Sequence, residues 1–156
     1  MAYSTIQNLN DYSRIDNDTL VPEVKFSDAE KQDAIDQANA RIEYIMKDWT
    51  TFYPAATHAH VLNILRDAET YYALYILFDK KAKIVMLMTP DLNNFSTGDL
   101  NASAPDSDKK SFYVQYQALS QIYKTRAEEL VALVVPPGSD SVRTVHFFDT
   151  SDEPEF

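Results

Sequence analysis

The stretch VLNILRDAETYYALYILFDKKAK, residues 61–83, decides the fold. Leu65, Ala68, Tyr72 and Tyr75 recur at three- and four-residue steps and make one helical stripe, while Ile64, Tyr71, Leu74 and Phe78 make a second. Between Tyr71 and Phe78 such a helix is apolar nearly all round, so it needs company on several sides. Phe52-Tyr53-Pro54 breaks the chain ahead of it, and Thr57 is of the residue type that caps a helix start. The apolar run Ile84–Met88 is too short for its period to separate strand from helix; we read it as a continuation of the helix.

Upstream, Ser27-Asp28-Ala29-Glu30 has the spacing of a capping box, in which serine takes the amide of Glu30 and the glutamate reaches back to the serine amide. Ile35, Ala38, Ile42, Ile45 and Trp49 then line one face, with Asp36, Arg41, Glu43 and Lys47 mostly off it. This predicts a helix from Ser27 to the break near Phe52. Downstream, Phe112, Tyr116, Leu119, Tyr123, Leu130 and Val134 share a face of a third helix starting near Asp108 and stopped by Pro136-Pro137-Gly138. The only glycines, Gly98 and Gly138, sit where the helical pattern stops.

The fold expected is mainly α, a small helical bundle of three main helices with extended N- and C-terminal segments. Residues 1–26 are polar, without a period of useful length, and read as extended. Residues 27–138 form the bundle, interrupted at 89–107 by a long loop in which Phe95 and Leu100 are apolar anchors. Residues 139–156 read as an extended tail. The expected core comprises Ile35, Ile42, Trp49, Leu65, Tyr72 and Leu119.

Composition narrows the function. Of 156 residues, 45% are apolar and 24% charged, enough for a self-standing core and too apolar for a disordered chain. The absence of cysteine removes disulfides, thiolate nucleophiles and sulfur-ligated metal sites. Nothing in the first twenty residues resembles a signal sequence or a transmembrane helix, so no membrane partner is expected and the chain reads as soluble. A formal charge of −10 disfavours gripping a phosphate backbone, although it lets DNA pass nearby without sticking.

Chemistry-bearing motifs are few. His58 and His60 are two apart, a spacing that points them in different directions on a helix, and His146 has no partner fixed by the sequence. Asp67 with Glu69, and Glu128 with Glu129, read as solvated acids. There is no P-loop, dinucleotide fingerprint, nucleophile elbow, EF-hand or Glu-x-x-His pair. No catalytic residue, metal ligand or cofactor is assigned, and an enzyme is not expected. The ten tyrosines, six of them at Tyr71, Tyr72, Tyr75, Tyr113, Tyr116 and Tyr123, point as a group to self-association. The residues expected at an interface are Tyr71 and Tyr75, together with Val145, Phe147 and Phe148 of the tail.

A capped helix reading SDAEKQDAIDQANARIEYIM followed by ILRDAETYYALYILF resembles head-tail connector proteins of tailed phages, also called adaptor or head-completion proteins. The resemblance spans Pro22 to Met88 and, more faintly, the third helix and tail. It implies a structural virion protein whose copies form a ring, commonly twelvefold, below the portal in the phage neck. Extended termini then reach the portal or the adjacent subunit, neck or tail proteins are further partners, and DNA passes through the ring. The family supplies no catalytic motif to carry over, and this sequence has a longer lead-in and a longer 89–107 loop than a minimal connector. The alternative is an acidic helical interaction module, such as a phage inhibitor that masks a host nucleic-acid-binding protein.

Because the tail follows a helix stop and adds little to the core pattern, deleting Ser139–Phe156 is expected to leave the bundle folded by circular dichroism while weakening assembly. Loss of the helical signal in the truncated chain contradicts that expectation.

Overall fold

A computed structural model describes residues 2–13, 15, 24–54, 56–87 and 104–136, with side chains from 110 onward in the last stretch. Among the described residues five α-helices follow in chain order: α1 (Ile6–Tyr12), α2 (Asp28–Ile45), α3 (Trp49–Phe52), α4 (Ala59–Leu87) and α5 (Ala104–Val134). No strand occurs among the described residues, and the protein is a mainly α helical bundle. None of its described helices is long and apolar enough to cross a membrane.

α4 is the axis of the bundle. Its 29 residues extend roughly 44 Å at 1.5 Å per residue, and α5 runs against it over the most extensive contact in the molecule. α2 and α1 pack on α4 as well, and α1 also touches α2. The stretch from Tyr71 to Phe78 is covered accordingly: Tyr72, Ala73, Leu74, Leu77 and Phe78 are buried and Tyr71, Tyr75 and Ile76 are half-buried. Helix continues through Ile84 and Val85 to Leu87, because Val85 and Ala82 are buried in the same core.

α2 starts at the capping box. Glu30 N–H donates to Ser27 Oγ at 3.3 Å and Ser27 N–H donates to Glu30 Oε2 at 3.0 Å. Ile35, Ala38, Ile42 and Ile45 are buried on the face read from their spacing, together with Ala34. The helix ends at Ile45, however, and does not run on to the break near Phe52. Asp48 takes a left-handed conformation, φ 58°, which no α-helix continues through and which aspartate tolerates better than most residues. The chain restarts as the single turn α3, and that detour carries Trp49 into the core at 6% exposure, edge-on to Tyr3 at 6.2 Å.

The segment 1–26, expected to be extended, contains α1. Thr5 and Asn8 form its capping box: Thr5 N–H donates to Asn8 Oδ1 at 2.9 Å and Asn8 N–H to Thr5 Oγ1 at 3.3 Å. A helix of seven residues is too short to hold itself against its nucleation cost and too short to display a period, so its stability comes from burying Leu9 against the bundle. Ile15, Val24 and Phe26 are buried too, so the lead-in contributes to the core.

α5 begins at Ala104, inside the interval read as loop, with Pro105 in its first turn, where a missing N–H costs no intrahelical bond. The loop residues 88–103 and the tail 139–156 lie outside the described residues. Thr57 stands two residues ahead of α4, and its hydroxyl donates back to the Pro54 carbonyl at 3.2 Å in place of capping the helix.

Trp49→Ala is expected to destabilise the fold by about 3–5 kcal/mol, the range for removing a large buried aromatic. Urea unfolding monitored by circular dichroism measures it; a loss below about 1 kcal/mol, the scale of surface changes, contradicts the packing described.

Candidate interface residues and a buried polar tie

The tyrosines of α4 and α5 form one seam. Tyr71 stacks on Tyr123 at 6.0 Å and meets Tyr12 of α1 at 5.5 Å. Phe78 stacks on Tyr123 at 5.4 Å and meets Tyr116 at 6.1 Å. Tyr75 lies 5.2 Å from Tyr72. Cations cover the rings: Lys124 Nζ lies 5.9 Å from the Tyr75 ring, Lys81 Nζ lies 5.1 Å from Tyr116, and the Arg41 guanidinium lies 5.2 Å from Tyr72. Burial raises the hydroxyl pKa of Tyr72, Tyr75 and Tyr123, keeping these phenols neutral.

Tyr71 and Tyr75, expected at an interface, are half-buried and pack against the chain's own core. Val145, Phe147 and Phe148 lie outside the described residues. Among the residues expected in the core, Ile35, Ile42, Trp49, Leu65 and Tyr72 are buried, and Leu119 is half-buried at its edge.

One residue read as a solvated acid is not solvated. Glu69 is fully buried, and its Oε1 accepts the backbone N–H of Tyr3 at 3.0 Å and of Ser4 at 2.8 Å. Its Oε2 accepts Asn39 Nδ2 of α2 at 3.0 Å. The Thr70 hydroxyl donates to the Arg66 carbonyl at 2.8 Å, so in the 2.7 Å Ser4–Thr70 pair it is Ser4 that donates. The Tyr3 hydroxyl donates to Glu43 of α2, and the Tyr12 hydroxyl donates to Asp67 at 2.7 Å. One carboxylate therefore ties the N-terminal segment, α2 and α4 together. Its signal was present in the sequence: Glu69 lies four residues after Leu65 and three before Tyr72, on the same inward stripe.

Burial raises the Glu69 pKa above its ordinary 4.5, and the donors Ser4, Asn39 and Tyr3 oppose that shift. Glu30 moves the other way, lowered to about 2 by the hydrogen bond from Lys80, 2.7 Å away, and by the Ser27 amide.

The remaining titratable pairs do not converge. His58 meets Tyr53 edge-on at 5.2 Å and His60 at 5.7 Å, on the partly exposed entry to α4. Glu129 pairs with Arg126 at 3.5 Å on the surface of α5. No group of three His, Asp or Glu side chains able to hold a metal gathers among the described residues.

Apolar side chains remain outside. Val114 is 57%, Ile122 56% and Leu133 73% exposed, all on α5, and Tyr44, Phe52 and Leu87 are exposed on other elements.

Glu69→Ala strips the acceptor from the buried Ser4 amide, the part-buried Tyr3 amide and an asparagine, and is expected to cost about 2–4 kcal/mol, with Glu69→Gln costing less because one carbonyl oxygen remains. The pH dependence has a definite sign. A carboxyl with a raised folded pKa adds stability that is full below 4.5 and is lost as pH rises through the folded value. Glu30, being lowered, adds stability present above 4.5 that is lost as pH falls toward about 2. Chemical denaturation across pH should therefore show Glu69→Gln flattening the limb above 4.5 and Glu30→Gln flattening the acid limb; an unchanged profile in both variants contradicts these assignments.

No family model matches the chain, and neither does any curated protein or solved structure.

Proposed function

We propose that this chain works by assembly and not by catalysis, as a structural subunit of a head-tail connector ring below the portal of a tailed phage. The observation that supports assembly is the apolar surface left over after the bundle has packed: Tyr44, Phe52, Leu87, Val114, Ile122 and Leu133 are all exposed in a chain of formal charge −10. Surface of this kind is stabilised when neighbours cover it. The connector assignment itself comes from the resemblance of Ser27–Met46 and Ile64–Phe78 to that family. In this reading the virion is its location, copies of the chain and the portal are its partners, and the acidic surface lets DNA slide through the ring.

A second reading is favoured by one face of α2. Asp28, Asp33, Asp36 and Glu43 are exposed there, an acidic row that could occupy the nucleic-acid site of a host protein. Mixing the full chain with the portal of the same phage, followed by native mass measurement and electron microscopy, separates the two. A ring on the portal is expected. A chain that never joins the portal, and instead recovers a basic nucleic-acid-binding protein from host lysate in a salt-sensitive way, overturns the connector reading in favour of the second.

A further inference from the structure

The N-terminal segment from Ala2 to Ser13 is attached to the bundle differently from the long helices. Leu9 is its only buried apolar side chain, with Tyr3, Ile6 and Tyr12 half-buried. Its other attachments are polar and land on a short stretch of α2 and α4. The Tyr3 and Ser4 amides bond Glu69, the Ser4 hydroxyl bonds Thr70, the Tyr12 hydroxyl bonds Asp67 and the Tyr3 hydroxyl bonds Glu43. The long helices, by contrast, are held by buried apolar side chains: Phe78, Tyr116, Ala127, Val131 and Val134 for α4 and α5, and Ile35, Ala38, Ile42 and Ile45 for α2.

The two kinds of attachment respond differently to water. An apolar side chain that leaves the core loses its packing and is hydrated unfavourably, whereas an amide or hydroxyl that leaves a protein acceptor finds another in water, so its net loss is small. Glu69 sharpens the contrast. A buried carboxylate gains hydration when its cover lifts, and that gain offsets the loss of the Tyr3 and Ser4 amides. Asn39 of α2 sits on the other carboxylate oxygen and does not belong to the segment that lifts. α1 resists partial detachment. At seven residues it does not persist as a helix away from the bundle, even with its Thr5–Asn8 box, so lifting it also melts it. The bonds from Leu9 N–H to the Thr5 carbonyl at 3.3 Å and from Ser13 N–H to the Leu9 carbonyl at 3.1 Å are then lost in the same event as the bonds to Glu69.

We propose that Ala2–Ser13 is a strap that opens and closes as one unit across α2 and α4 while the bundle beneath it stays folded, with Glu69 as its clasp. Opening uncovers Glu69, Thr70 and the side of Trp49 on which Tyr3 packs. It is a property of the single chain and stands independently of the connector reading.

The absence of native cysteine lets single thiols report the opening. Ser4→Cys lies in the strap, Thr70→Cys on α4 beneath it, and Ser120→Cys on α5 between Tyr116 and Tyr123; Thr70 and Ser120 are fully buried and Ser4 is 6% exposed. Each is introduced separately into the full chain and reacted with a chromogenic aromatic disulfide, every rate being divided by that of the same thiol in the urea-unfolded chain. Ser4→Cys and Thr70→Cys are expected to react at rates within about twofold of each other and at least about tenfold faster than Ser120→Cys. Adding Glu69→Ala is expected to speed Thr70→Cys by a further factor of about ten. Hydrogen exchange of the unsubstituted chain decides where a variant does not fold: the amides of Tyr3, Ser4, Leu9 and Ser13 are expected to share one opening, at least about tenfold more populated than that of the interior amides of α4 and α5. Equal rates for Thr70→Cys and Ser120→Cys, or strap amides that exchange only together with those of α4 and α5, overturn the proposal, because the segment then leaves only when the whole bundle unfolds. Fast Ser4→Cys with slow Thr70→Cys overturns it as well, since the segment then frays at its end without lifting from α4. A Thr70→Cys rate that Glu69→Ala leaves unchanged removes Glu69 as the clasp.

Discussion

The side chains from Tyr71 to Phe78 cannot all be hidden by one neighbour, and the architecture answers that constraint. Nearly every position of the helix through this stretch is apolar, so stability requires cover on several sides. α5 supplies one side with Tyr116 and Tyr123 against Phe78 and Tyr71, while α2 supplies another with Arg41 over Tyr72. α1 adds Tyr12 at the edge. The other helices are therefore best understood as cover for α4. α2 is acidic on its outside and α1 is too short to stand alone, and both gain stability chiefly by laying an inward stripe on the central helix.

A polar tie works alongside this packing. Burying Glu69 is unfavourable for a charged carboxylate, and hydrogen bonds from Tyr3, Ser4 and Asn39 offset that cost. Apolar contact alone sets no register, since a greasy strip tolerates sliding. Two amides on one oxygen and an asparagine on the other admit one placement of the N-terminal segment between α2 and α4. Ser4 on Thr70 and Tyr12 on Asp67 reinforce that placement at neighbouring positions of α4. The apolar surface thus supplies most of the attraction and the carboxylate supplies specificity.

Much of the bundle was legible because its information is periodic. The stripes through Ile35 and Ile42 and through Leu65 and Tyr72, the Ser27–Glu30 box and the Pro136 stop all depend on neighbours a few residues apart along the chain. What could not be read depends on distant partners or on a single backbone angle. α1 has too few turns for a period to show, and its stability derives from Leu9 meeting helices far along the sequence. The left-handed turn at Asp48 divides a stripe that is continuous in sequence, because Trp49 stays in phase with Ile45 even after the helix has ended. Periodicity shows that the face bearing Tyr71 and Tyr75 is apolar but not which segment covers it, and in the fold both are half-buried against the chain's own core. Glu69 shows the converse: a charged residue on an inward stripe invites the reading of a solvated acid, whereas its position relative to Leu65 and Tyr72 already placed it inside.

The distribution of charge carries the functional argument further than any single residue does. A net charge of −10 spread evenly would keep copies apart and would give no surface a preferred partner. Among the described residues, Asp28, Asp33, Asp36 and Glu43 are exposed on α2, while the exposed residues of α5 from Ser111 to Thr125 include no acid. The two described helices thus differ on their outward sides, α2 being acidic and α5 uncharged and partly apolar from Ser111 to Thr125. An amphipathic helix that covers α4 has no internal reason to present Val114, Ile122 and Leu133 outward; lysine or glutamate at those positions would serve solubility equally well. Val114, Ile122 and Leu133 therefore remain as apolar surface that no other described element covers.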